Sequence, residues 1–543
     1  MTAHVDQFAR QMLPARALWP EISMGDLRYP DRLNCAAELL DAAIDRNEGH
    51  RVALRFPGGT WTYRELLEHA NRIAHVLVKD LGLVPGNRVL LRGPNNPMMA
   101  ASWFAVLKAG GIVVCTMPLL RARELAYIIE KAKVSLALCD ARVLQELQQA
   151  ASSAPSLQRI VEFGSDAAGS LDALARPKPA TFANLATAAD DVAVIAFTSG
   201  TTGQAKGTMH FHRDVLAICD LFPRHVLRPT RDDIFCGSPP LAFTYGLGGI
   251  LVFPLRYGAS TVLLEQAAPP QLLQGIQDFR ATVCFTAPTA YRAMTALCAG
   301  ADLSSLKKCV SAGEHLPATT FEKWRAATGL RIIDGIGSTE MFHMFISSSG
   351  DDIKAGSTGR VIPGYRAAVL DGEGNEAPVG TIGHLAVRGP TGCRYLDDTE
   401  RQRAYVKNGW NLPGDSYRVD EQGYFWYQAR TDDLIVSSGY KISGPEVENA
   451  LLDHPSVAEC GVVGIPDEER GYIVKAFVVL RPGVTATDAT VKELQEFVKA
   501  QIAPYKYPRS IEFVSALPRT ETGKLQRYRL REIQNAQAAG TVR

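Results

Sequence analysis

Residues 192–207 decide the fold, because the apolar run VAVIAF leads directly into TSGTTGQAKG. The apolar run predicts a buried strand, and the ten residues after it include three glycines, three threonines, one serine and one lysine. Backbone N–H groups, hydroxyls and one point charge are groups with which proteins hold phosphate. We therefore interpret the segment as a phosphate-binding loop; a flexible solvent loop, the alternative, would not need to follow a fully apolar strand. It is not a Walker A loop, because Gln204 and Ala205 precede Lys206 and Gly207 follows it.

Outward from this loop, apolar runs alternate with helical patterns. Before the loop they cover residues 89–91, 98–108, 112–116, 123–133 and 135–139, and after it residues 261–264, 271–279, 283–285, 309–310, 318–327 and 331–333, with a further helix around Tyr291. This β-α-β order predicts mainly parallel sheets covered by helices, and hence two doubly wound α/β units. Residues 150–186, rich in Ala, Ser and Pro, predict at most a loop.

Beyond residue 356 the pattern changes. Short runs at 367–370 and 384–387, broken by Gly and Pro, predict an antiparallel sheet or a small barrel. After residues 434–436 we expect a helix at 445–453, strands at 460–465 and 473–480, a helix at 490–499 and a strand at 511–514. The expected fold class is therefore α/β: a large N-terminal body (1–431) of two doubly wound α/β subdomains plus a small β-barrel-like subdomain, with a smaller α+β C-terminal domain (432–543).

Composition excludes several classes of protein. The 543 residues carry a net charge of +1, so no overall field attracts nucleic acid or an anionic membrane, and any polyanionic ligand must be held locally. The most apolar stretch, residues 100–120, is interrupted by Lys108 and two glycines, so we expect no membrane span and a cytoplasmic protein. The ten cysteines include no C-x-x-C pair and are interpreted as reduced thiols.

The loop at 198–207 resembles the signature T-S-G-T-T-G-x-x-K-G of the adenylate-forming superfamily, which includes acyl-CoA synthetases, luciferases and peptide-synthetase adenylation domains. Further signatures follow in order along nearly the whole chain. The resemblance implies an ATP-dependent, AMP-forming acid–thiol ligase that uses Mg²⁺, ATP and CoA. It assigns ATP binding to Thr198, Ser199, Gly200, Thr201, Thr202, Gly203, Lys206, Gly313, Glu314, Asp334, Thr339, Asp415 and Arg430.

Residues 336–340 read IGSTE and follow a predicted strand, which places a hydroxyl and a carboxylate where open α/β sheets bind ligands. By resemblance, Thr339 contacts the nucleotide phosphate and Glu340 is the Mg²⁺ ligand, a hard oxygen donor for a hard cation. The sequence PRTETGK at 518–524 matches a second signature, whose lysine, here Lys524, reaches into the site. The implied catalytic residues are Lys524, Thr339, Glu340 and Lys206.

Two signatures depart from the family's pattern. Pro413 replaces the usual Thr before Gly-Asp but leaves Asp415, whose two carboxylate oxygens can accept both ribose hydroxyls. Ala429 replaces the usual Gly before Arg430, and Asp432 is assigned as the hinge. The resemblance implies that the small domain is mobile and alternately presents Lys524 and a CoA-channel loop, here Ser438, Gly439, Tyr440 and Lys441.

The acid-binding segment predicts an aromatic substrate. The resemblance assigns substrate binding to Phe243, Thr244, Tyr245, Gly246 and His343, and the aromatic side chains with a Gly-rich wall suit a flat ring. Residues 340–345 resemble benzoate-CoA ligases, and other stretches resemble 2-aminobenzoate-CoA ligases. Thr244 or His343 could accept a hydrogen bond from the amine; as an alternative, these aromatic residues and His343 belong to the core.

Two other functions stay open on the sequence alone. The chain could load an aryl acid onto a carrier protein, or it could be a non-catalytic nucleotide-binding module. The expected partners are a small-molecule aromatic acid, ATP and CoA, with no nucleic acid and no membrane. Whether the protein is a monomer or a homodimer is left open.

Overall fold

The computed structural model describes residues 1–198, 205–437, 440–467, 470–502, 504–519 and 525–540, without the side chains of residues 432, 436, 440, 441, 471 and 535–540. Its strands are β1 (Val52–Phe56), β2 (Gly59–Thr62), β3 (Arg88–Arg92), β4 (Ile112–Thr116), β5 (Leu136–Asp140), β6 (Arg159–Phe163), β7 (Val192–Thr198), β8 (Lys206–Phe211), β9 (Ile234–Gly237), β10 (Ser260–Val262), β11 (Val283–Thr286), β12 (Lys308–Ser311), β13 (Ile332–Gly337), β14 (Met344–Ser347), β15 (Arg360–Val361), β16 (Arg366–Leu370), β17 (Gly383–Arg388), β18 (Val406–Lys407), β19 (Trp410–Asn411), β20 (Asp415–Val419), β21 (Phe425–Arg430), β22 (Ile435–Ser437), β23 (Tyr440–Ile442), β24 (Val457–Asp467), β25 (Gly471–Leu480) and β26 (Ser510–Phe513).

The α-helices are α1 (Phe8–Gln11), α2 (Ala42–Asp45), α3 (Tyr63–His75), α4 (Pro97–Lys108), α5 (Ala122–Ala132), α6 (Leu144–Ala151), α7 (Leu171–Ala175), α8 (His212–Phe222), α9 (Thr244–Gly246), α10 (Phe253–Arg256), α11 (Pro269–Phe279), α12 (Pro288–Leu297), α13 (Ala318–Thr328), α14 (Thr399–Tyr405), α15 (Gly444–Leu452), α16 (Asp488–Gln501) and α17 (Arg527–Gly540). Four segments are π-helical: Ala37–Asp41, Val76–Asp80, Pro223–Leu227 and Leu247–Val252. Short 3₁₀ turns cover Arg16–Leu18, Ala141–Val143, Gly350–Asp352, Thr431–Asp433 and Pro504–Lys506.

The first doubly wound unit contains a six-stranded sheet in the order β6-β5-β3-β4-β7-β8. Its strands are parallel except for β8, which returns antiparallel beside β7. Helix α4 begins where Asn96 accepts a hydrogen bond from the Met99 N–H at 2.9 Å and Pro97 opens the first turn. The predicted strands and helices before the phosphate loop are confirmed to within about two residues at each end.

The prediction of a loop over residues 150–186 is wrong in part. Strand β6 lies in this stretch and pairs in parallel with β5, and helix α7 follows it. In β6 only Val161 and Phe163 are buried, and Glu162 between them is partly exposed, as in an edge strand. The strand has only five residues and lies among Ala-, Ser- and Pro-rich stretches, so composition alone did not indicate it.

The second unit contains a nine-stranded sheet in the order β15-β14-β13-β12-β11-β9-β10-β1-β2. The central strands β13 to β1 are parallel, and antiparallel strands close both ends. A single cluster of buried apolar side chains includes Val89 and Val113 of the first sheet and Phe235 and Phe285 of the second. The two predicted units therefore share one continuous core.

The third part of the N-terminal body is a six-stranded antiparallel sheet. Its strands run in the order β18-β19-β17-β20-β21, with β16 also paired to β17. The predicted strands at 367–370 and 384–387 are β16 and β17. The final strand, β21, ends at Arg430, and the 3₁₀ turn that follows it contains the predicted domain boundary.

The C-terminal part folds around its own core. Strands β24, β25 and β26 form one sheet, β22 and β23 form a hairpin, and α15 and α16 pack against them. Arg527 at the start of α17 pairs with Glu448 of α15 at 2.7 Å, which ties the last helix to this domain. A separate small domain of strands and helices, predicted from the sequence, is confirmed.

Candidate active site

The site is built where four parallel strands end. Strands β9, β11, β12 and β13 are neighbours in one sheet, so their carboxyl ends meet at the same edge. The chain leaves β9 toward Phe243–Tyr245, β12 toward Gly313 and Glu314, and β13 toward Thr339, Glu340 and His343. Residues that are distant in the sequence are thereby brought to one cleft, as the predicted α/β fold requires.

The phosphate loop joins β7 to β8. Thr198 and Lys206 are directly paired across these two strands, so the ends of the loop are held together by the antiparallel ladder. Lys206 Nζ lies 5.8 Å from the centre of the Tyr395 ring. The predicted ligands Ser199, Gly200, Thr201, Thr202 and Gly203 lie outside the described residues.

Glu340 is buried, with 8% of its surface exposed, and has one described partner. The Tyr395 hydroxyl donates a hydrogen bond to Glu340 Oε1 at 2.5 Å. Tyr395 itself is 1% exposed and meets Tyr405 edge-on, and the Tyr405 hydroxyl lies 3.0 Å from Ser338 Oγ. The buried Tyr395 therefore holds the carboxylate, and the half-buried Tyr405 holds the residue that precedes Thr339.

His210 of β8 packs against the turn that contains residues 339–343. The His210 ring stacks on Phe342 with centroids 4.0 Å apart, and His210 Nε2 lies 2.8 Å from the Thr339 carbonyl oxygen. Burial lowers the pKa of His210 to about 4, so at neutral pH the neutral ring donates through Nε2. Phe342 has a φ of +71°, an uncommon backbone conformation for a bulky residue. Such strain concentrates at functional sites.

His343 lies in a cluster of aromatic rings. Its ring is 4.5 Å from that of Phe253 and 5.7 Å from those of Phe222 and Tyr245. It is 3% exposed, and neither ring nitrogen has a hydrogen-bond partner among the described residues. Burial lowers the pKa of His343 to about 3, so the ring is neutral and offers one N–H donor and one nitrogen acceptor. A buried polar group without a partner requires an explanation, which a bound ligand would supply.

The π-helical segment Leu247–Val252 forms the wall beside His343. A Cβ added at Gly248 would lie 2.4 Å from His343 Cδ2, so only glycine permits this approach. Single π-helical turns of this kind are frequent at functional sites. Gly246 has a different role, because a Cβ added there would lie 2.1 Å from the Pro240 carbonyl oxygen. The absence of a side chain at Gly246 allows the predicted acid-binding segment to turn tightly.

The other acid-site residues begin the same segment. Phe243 is half-buried and precedes α9, and Thr244 is 8% exposed. The Tyr245 hydroxyl donates to the carbonyl oxygens of Thr286 and Val310, at 3.3 and 3.2 Å, which fixes its ring above the ends of β11 and β12. Asn95 holds the segment from the first unit by accepting from the Leu241 N–H at 2.8 Å.

Asp334 lies on β13 and is paired in register with Ser311, the last residue of β12. Burial raises the pKa of its carboxyl well above the usual range, and Oδ1 has no hydrogen-bond partner among the residues described. Gly313 and Glu314 follow the neighbouring strand β12, and Gly313 has a φ of +91°. The three residues thus lie side by side at the ends of adjacent strands.

Asp415 and Arg430 face each other across β20 and β21. Arg430 Nη1 donates to Asp415 Oδ2 at 3.1 Å and to the Pro413 carbonyl oxygen at 3.0 Å. The pKa of Arg430 is raised, because the charge of Asp415 outweighs burial, which by itself would lower it. The Thr431 N–H donates to the Gly414 carbonyl oxygen at 2.9 Å, so the hinge segment is attached to the Asp415 loop.

The small domain meets the body beside this site. Asn449 Nδ2 lies 3.3 Å from His315 Nε2, the Ser443 hydroxyl donates to the Gln428 carbonyl oxygen, and Arg292 pairs with Glu459 at 3.4 Å. Ser438, Gly439 and Lys524 lie outside the described residues, as do the side chains of Asp432, Tyr440 and Lys441. Arg519 and Arg527, on either side of Lys524, both pair with glutamates of the small domain at 2.7 Å.

Sequence reasoning missed several residues of the site. Tyr395, Tyr405 and His210 are isolated polar residues in apolar or mixed surroundings, and no spacing rule connects them to Glu340. Phe222, Phe253 and Phe285 read as core, and only the fold brings them to His343 or Tyr245. A tyrosine in a short extended segment is a weak signal, because its role depends on a partner 55 residues away.

Among the residues that the structure describes, no cluster of three or more His, Cys, Asp or Glu side chains could hold a metal ion. No helix within those ranges is long and apolar enough to cross a membrane.

Comparison with known proteins agrees with this geometry. The profile described as AMP-binding enzyme matches residues 40–394, and that described as AMP-binding enzyme C-terminal domain matches residues 446–524. The benzoate–CoA ligase of Thauera aromatica is 35% identical over 510 residues, which cover 93% of this chain and 97% of that protein.

Solved structures show the same relationship. The anthranilate CoA ligase AuaEII in complex with anthranoyl-AMP has a TM-score of 0.89 at 36% identity, covering 94% of this chain and 99% of that one. A benzoate CoA ligase from Burkholderia xenovorans LB400 has a TM-score of 0.83 at 32% identity, covering 92% and 99%. The chain therefore belongs to the AMP-binding enzyme family, among relatives that include aryl-CoA ligases, and is an ATP-dependent, AMP-forming acid–thiol ligase.

Proposed function

We propose that this enzyme activates an aromatic carboxylic acid of the benzoate type, with 2-aminobenzoate as the preferred acid, and transfers the acyl group to CoA. The observation that carries the proposal is His343, a neutral imidazole without a described hydrogen-bond partner, in a cluster with Phe222, Tyr245 and Phe253. Aromatic rings pack favourably on one another, and a single polar group among them fixes a ligand's orientation. Two relatives support it by name, since they act on benzoate and anthranilate.

The nucleotide is proposed to bind across the ends of β12, β13 and β20. Residues 198–203, Lys206 and Thr339 would contact the phosphates, and Asp415 with Arg430 would contact the ribose. The buried Asp334 Oδ1 lacks a described partner, and an exocyclic amino group of adenine would satisfy it. Gly313 and Glu314 complete this side of the cleft.

The residues present fit a Mg²⁺ ion carried by ATP. Glu340 offers a hard carboxylate oxygen, and Mg²⁺ typically takes one or two carboxylates together with phosphate oxygens and water rather than a complete protein cage. Bound there, the ion would neutralise negative charge on the phosphates.

The first half-reaction is attack of the acid's carboxylate oxygen on the α-phosphorus of ATP. That oxygen forms a bond to phosphorus, the bond from phosphorus to the bridging oxygen breaks, and pyrophosphate leaves. Both reactants are anions, so Lys206 and Lys524 would lower the barrier by holding charge and position rather than by forming a covalent intermediate. His210, Phe342 and Tyr395 keep Thr339 and Glu340 in place.

In the second half-reaction the CoA thiolate attacks the acyl carbon and AMP leaves. Residues 438–441 are proposed to line the channel for the pantetheine arm, after the small domain, residues 432–543, turns about Asp432. Arg519 and Arg527 flank Lys524 in sequence, and Arg519 and Arg292 of the body both pair with Glu459. This arrangement supports assigning the present orientation to adenylation.

His343 is proposed to distinguish the acids. Its neutral ring can accept a hydrogen bond from an aryl amine on one nitrogen and donate from the other. A hydrogen bond contributes about 0.5–1.5 kcal/mol, which corresponds to roughly a 2- to 10-fold preference for 2-aminobenzoate over benzoate. Thr244, with no described hydrogen-bond partner for its hydroxyl, is the second candidate for this contact.

A panel of acids with ATP, Mg²⁺ and CoA, scored by AMP release, tests the proposal. We expect 2-aminobenzoate and benzoate to exceed cyclohexanecarboxylate by roughly 10-fold in kcat/KM, because a saturated ring loses the stacking geometry. Equal turnover of the two aromatic acids would remove the basis for 2-aminobenzoate alone. AMP release that needs a carrier protein instead of CoA would contradict the CoA ligase assignment.

A further inference from the structure

The contact between Tyr395 and Glu340 makes the two oxygens of the Glu340 carboxylate inequivalent. Oε1 accepts the Tyr395 hydroxyl at 2.5 Å, and no described residue donates to Oε2. A tyrosine hydroxyl is protonated at neutral pH, so it acts as the donor of this hydrogen bond. One oxygen of Glu340 is therefore occupied and the other is left for a ligand.

Tyr395 is rigidly held. The segment 394–396 runs beside β8, with the Met209 N–H donating to the Arg394 carbonyl oxygen and the Leu396 N–H to the Gly207 carbonyl oxygen, both at 2.8 Å. Gln402, fully buried, accepts from the Tyr395 N–H at 2.9 Å. Arg394 forms a buried pair with Asp214 of α8 at 2.9 Å. The phenol is thus fixed from three directions, and it fixes Glu340 in turn.

We propose that Tyr395 is a positioning residue that restricts Glu340 to one metal-binding oxygen and thereby makes the site select Mg²⁺ over Ca²⁺. This inference rests on the proposed function, in which Glu340 is the ligand of the nucleotide's cation. It concerns a residue of this chain that never contacts the cation itself.

The selectivity follows from the different demands of the two ions. Mg²⁺ requires near-ideal octahedral geometry, with each ligand supplying one oxygen at a short distance. Ca²⁺ accepts six to eight oxygens at longer distances and readily takes both oxygens of one carboxylate. A donor on Oε1 competes with a metal bond to that oxygen and so disfavours the bidentate mode of Ca²⁺, whereas Mg²⁺ can still bind Oε2 alone. Removing the Tyr395 hydroxyl would leave Oε1 of Glu340 available to a metal ion and would allow the carboxylate to rotate.

The test measures cation selectivity in binding, without turnover. The Mg²⁺ and Ca²⁺ complexes of α,β-methylene-ATP, in which the linkage between the α- and β-phosphorus atoms cannot be cleaved, are titrated into wild-type enzyme and Tyr395→Phe by calorimetry. We expect the wild type to bind the Mg²⁺ complex more tightly and the variant to shift the ratio of the two Kd values toward Ca²⁺ by roughly 10-fold, the size of effect that partners of metal ligands produce. Tyr63→Phe is the matched control, because it removes a buried tyrosine hydroxyl that donates to the Ala259 carbonyl oxygen at 2.7 Å, away from the site.

Two further variants distinguish a failure of this inference from a failure of the proposed Mg²⁺ site. Glu340→Asp shortens the carboxylate so that it cannot keep both its place and the Tyr395 bond, and it should shift the ratio in the same direction if Tyr395→Phe does not fold. Glu340→Gln should weaken both cation complexes. An unchanged ratio in Tyr395→Phe, with both complexes weakened in Glu340→Gln, overturns the role of Tyr395 but keeps the proposed Mg²⁺ site. Unweakened binding by Glu340→Gln overturns the Mg²⁺ site and the inference together.

Discussion

At the scale of single residues, one observation governs the acid site: a buried histidine whose two ring nitrogens have no described partner. Unpaired buried polar groups cost about 1–3 kcal/mol, and burial keeps His343 neutral, with its pKa lowered to about 3. The sequence marked His343 as either a substrate contact or a core residue. Both interpretations hold together, since the His343 ring is packed among aromatic rings and its nitrogens still have no described hydrogen-bond partner.

Gly248 offers a direct test of that contact. We expect Gly248→Ala to reduce kcat/KM for the aromatic acid roughly 5- to 150-fold, because its Cβ would lie 2.4 Å from His343 Cδ2 and overpacking of this kind costs about 1–3 kcal/mol. The KM for ATP should stay within twofold of the wild type. Gly372→Ala is the matched control, since nothing lies within 4 Å of its added Cβ. Equal losses for acid and ATP would show that Gly248 serves only folding.

At the scale of elements, strand ends place the site. Sequence patterns predicted β12, β13 and the helices between them, because buried parallel strands read as short apolar runs. They did not predict that β9, β11, β12 and β13 are neighbours, since sheet order depends on packing between distant segments. Tyr395 was missed for the same reason: it reaches Glu340 only because residues 394–396 pair with β8. The strand β6 was missed because its five residues lie among Ala-rich stretches.

The contacts between α12 of the body and the small domain give a prediction about the two half-reactions. Glu459 joins Arg292 at 3.4 Å to Arg519 at 2.7 Å, and the three side chains are 29–38% exposed. Exposed ion pairs contribute up to about 1 kcal/mol. We therefore expect Arg292→Ala to slow adenylation by up to about fivefold and to leave thioester formation from pre-made acyl-AMP unchanged.

The control for this prediction is Arg280→Ala, which removes an ion pair of the same length, to Asp302, within the body. It should affect neither half-reaction. High salt should reduce the difference between wild type and Arg292→Ala, because screening weakens exposed pairs. Equal slowing of both half-reactions by Arg292→Ala would mean that the pair does not distinguish orientations of the small domain.

At the scale of the whole molecule, a net charge of +1 conceals strong local charge. The cleft collects Lys206, Arg430 and the acids Asp334, Glu340 and Asp415, of which Glu340 and Asp415 are buried, between the body and the small domain. The architecture could be predicted because the periodicity of apolar residues and the order of strands and helices can be identified in the sequence without knowing which residues are in contact. The arrangement of the site residues could not be predicted, since it depends on which strands are neighbours in the sheet.

Buried histidines predict how stability depends on pH. Burial lowers the pKa of His210 and His315 to about 4 and of His212 and His343 to about 3. Below about pH 6.5 the unfolded chain binds protons that the folded chain does not, so folding loses up to about 1.4 kcal/mol per histidine per pH unit. The raised pKa values of Asp334 and Asp453 oppose this trend but are two groups against four.

We therefore expect the stability to be constant above about pH 7 and to fall steeply between about pH 6 and 4.5. Urea unfolding midpoints at closely spaced pH values would measure it. Replacing His212 with Phe should reduce the slope by about a quarter if the four imidazoles contribute equally. A midpoint that stays the same over this range would contradict burial of four neutral imidazoles.

The central claim is that this cleft converts an aromatic carboxylate and ATP into an acyl-adenylate before CoA takes part. Acid-dependent exchange of labelled pyrophosphate into ATP, measured without CoA, tests it most directly. The account predicts exchange with 2-aminobenzoate and benzoate, little exchange with hexanoate, and loss of exchange in Lys524→Ala. Exchange that does not depend on an added acid, or that is as fast with hexanoate as with benzoate, would contradict it.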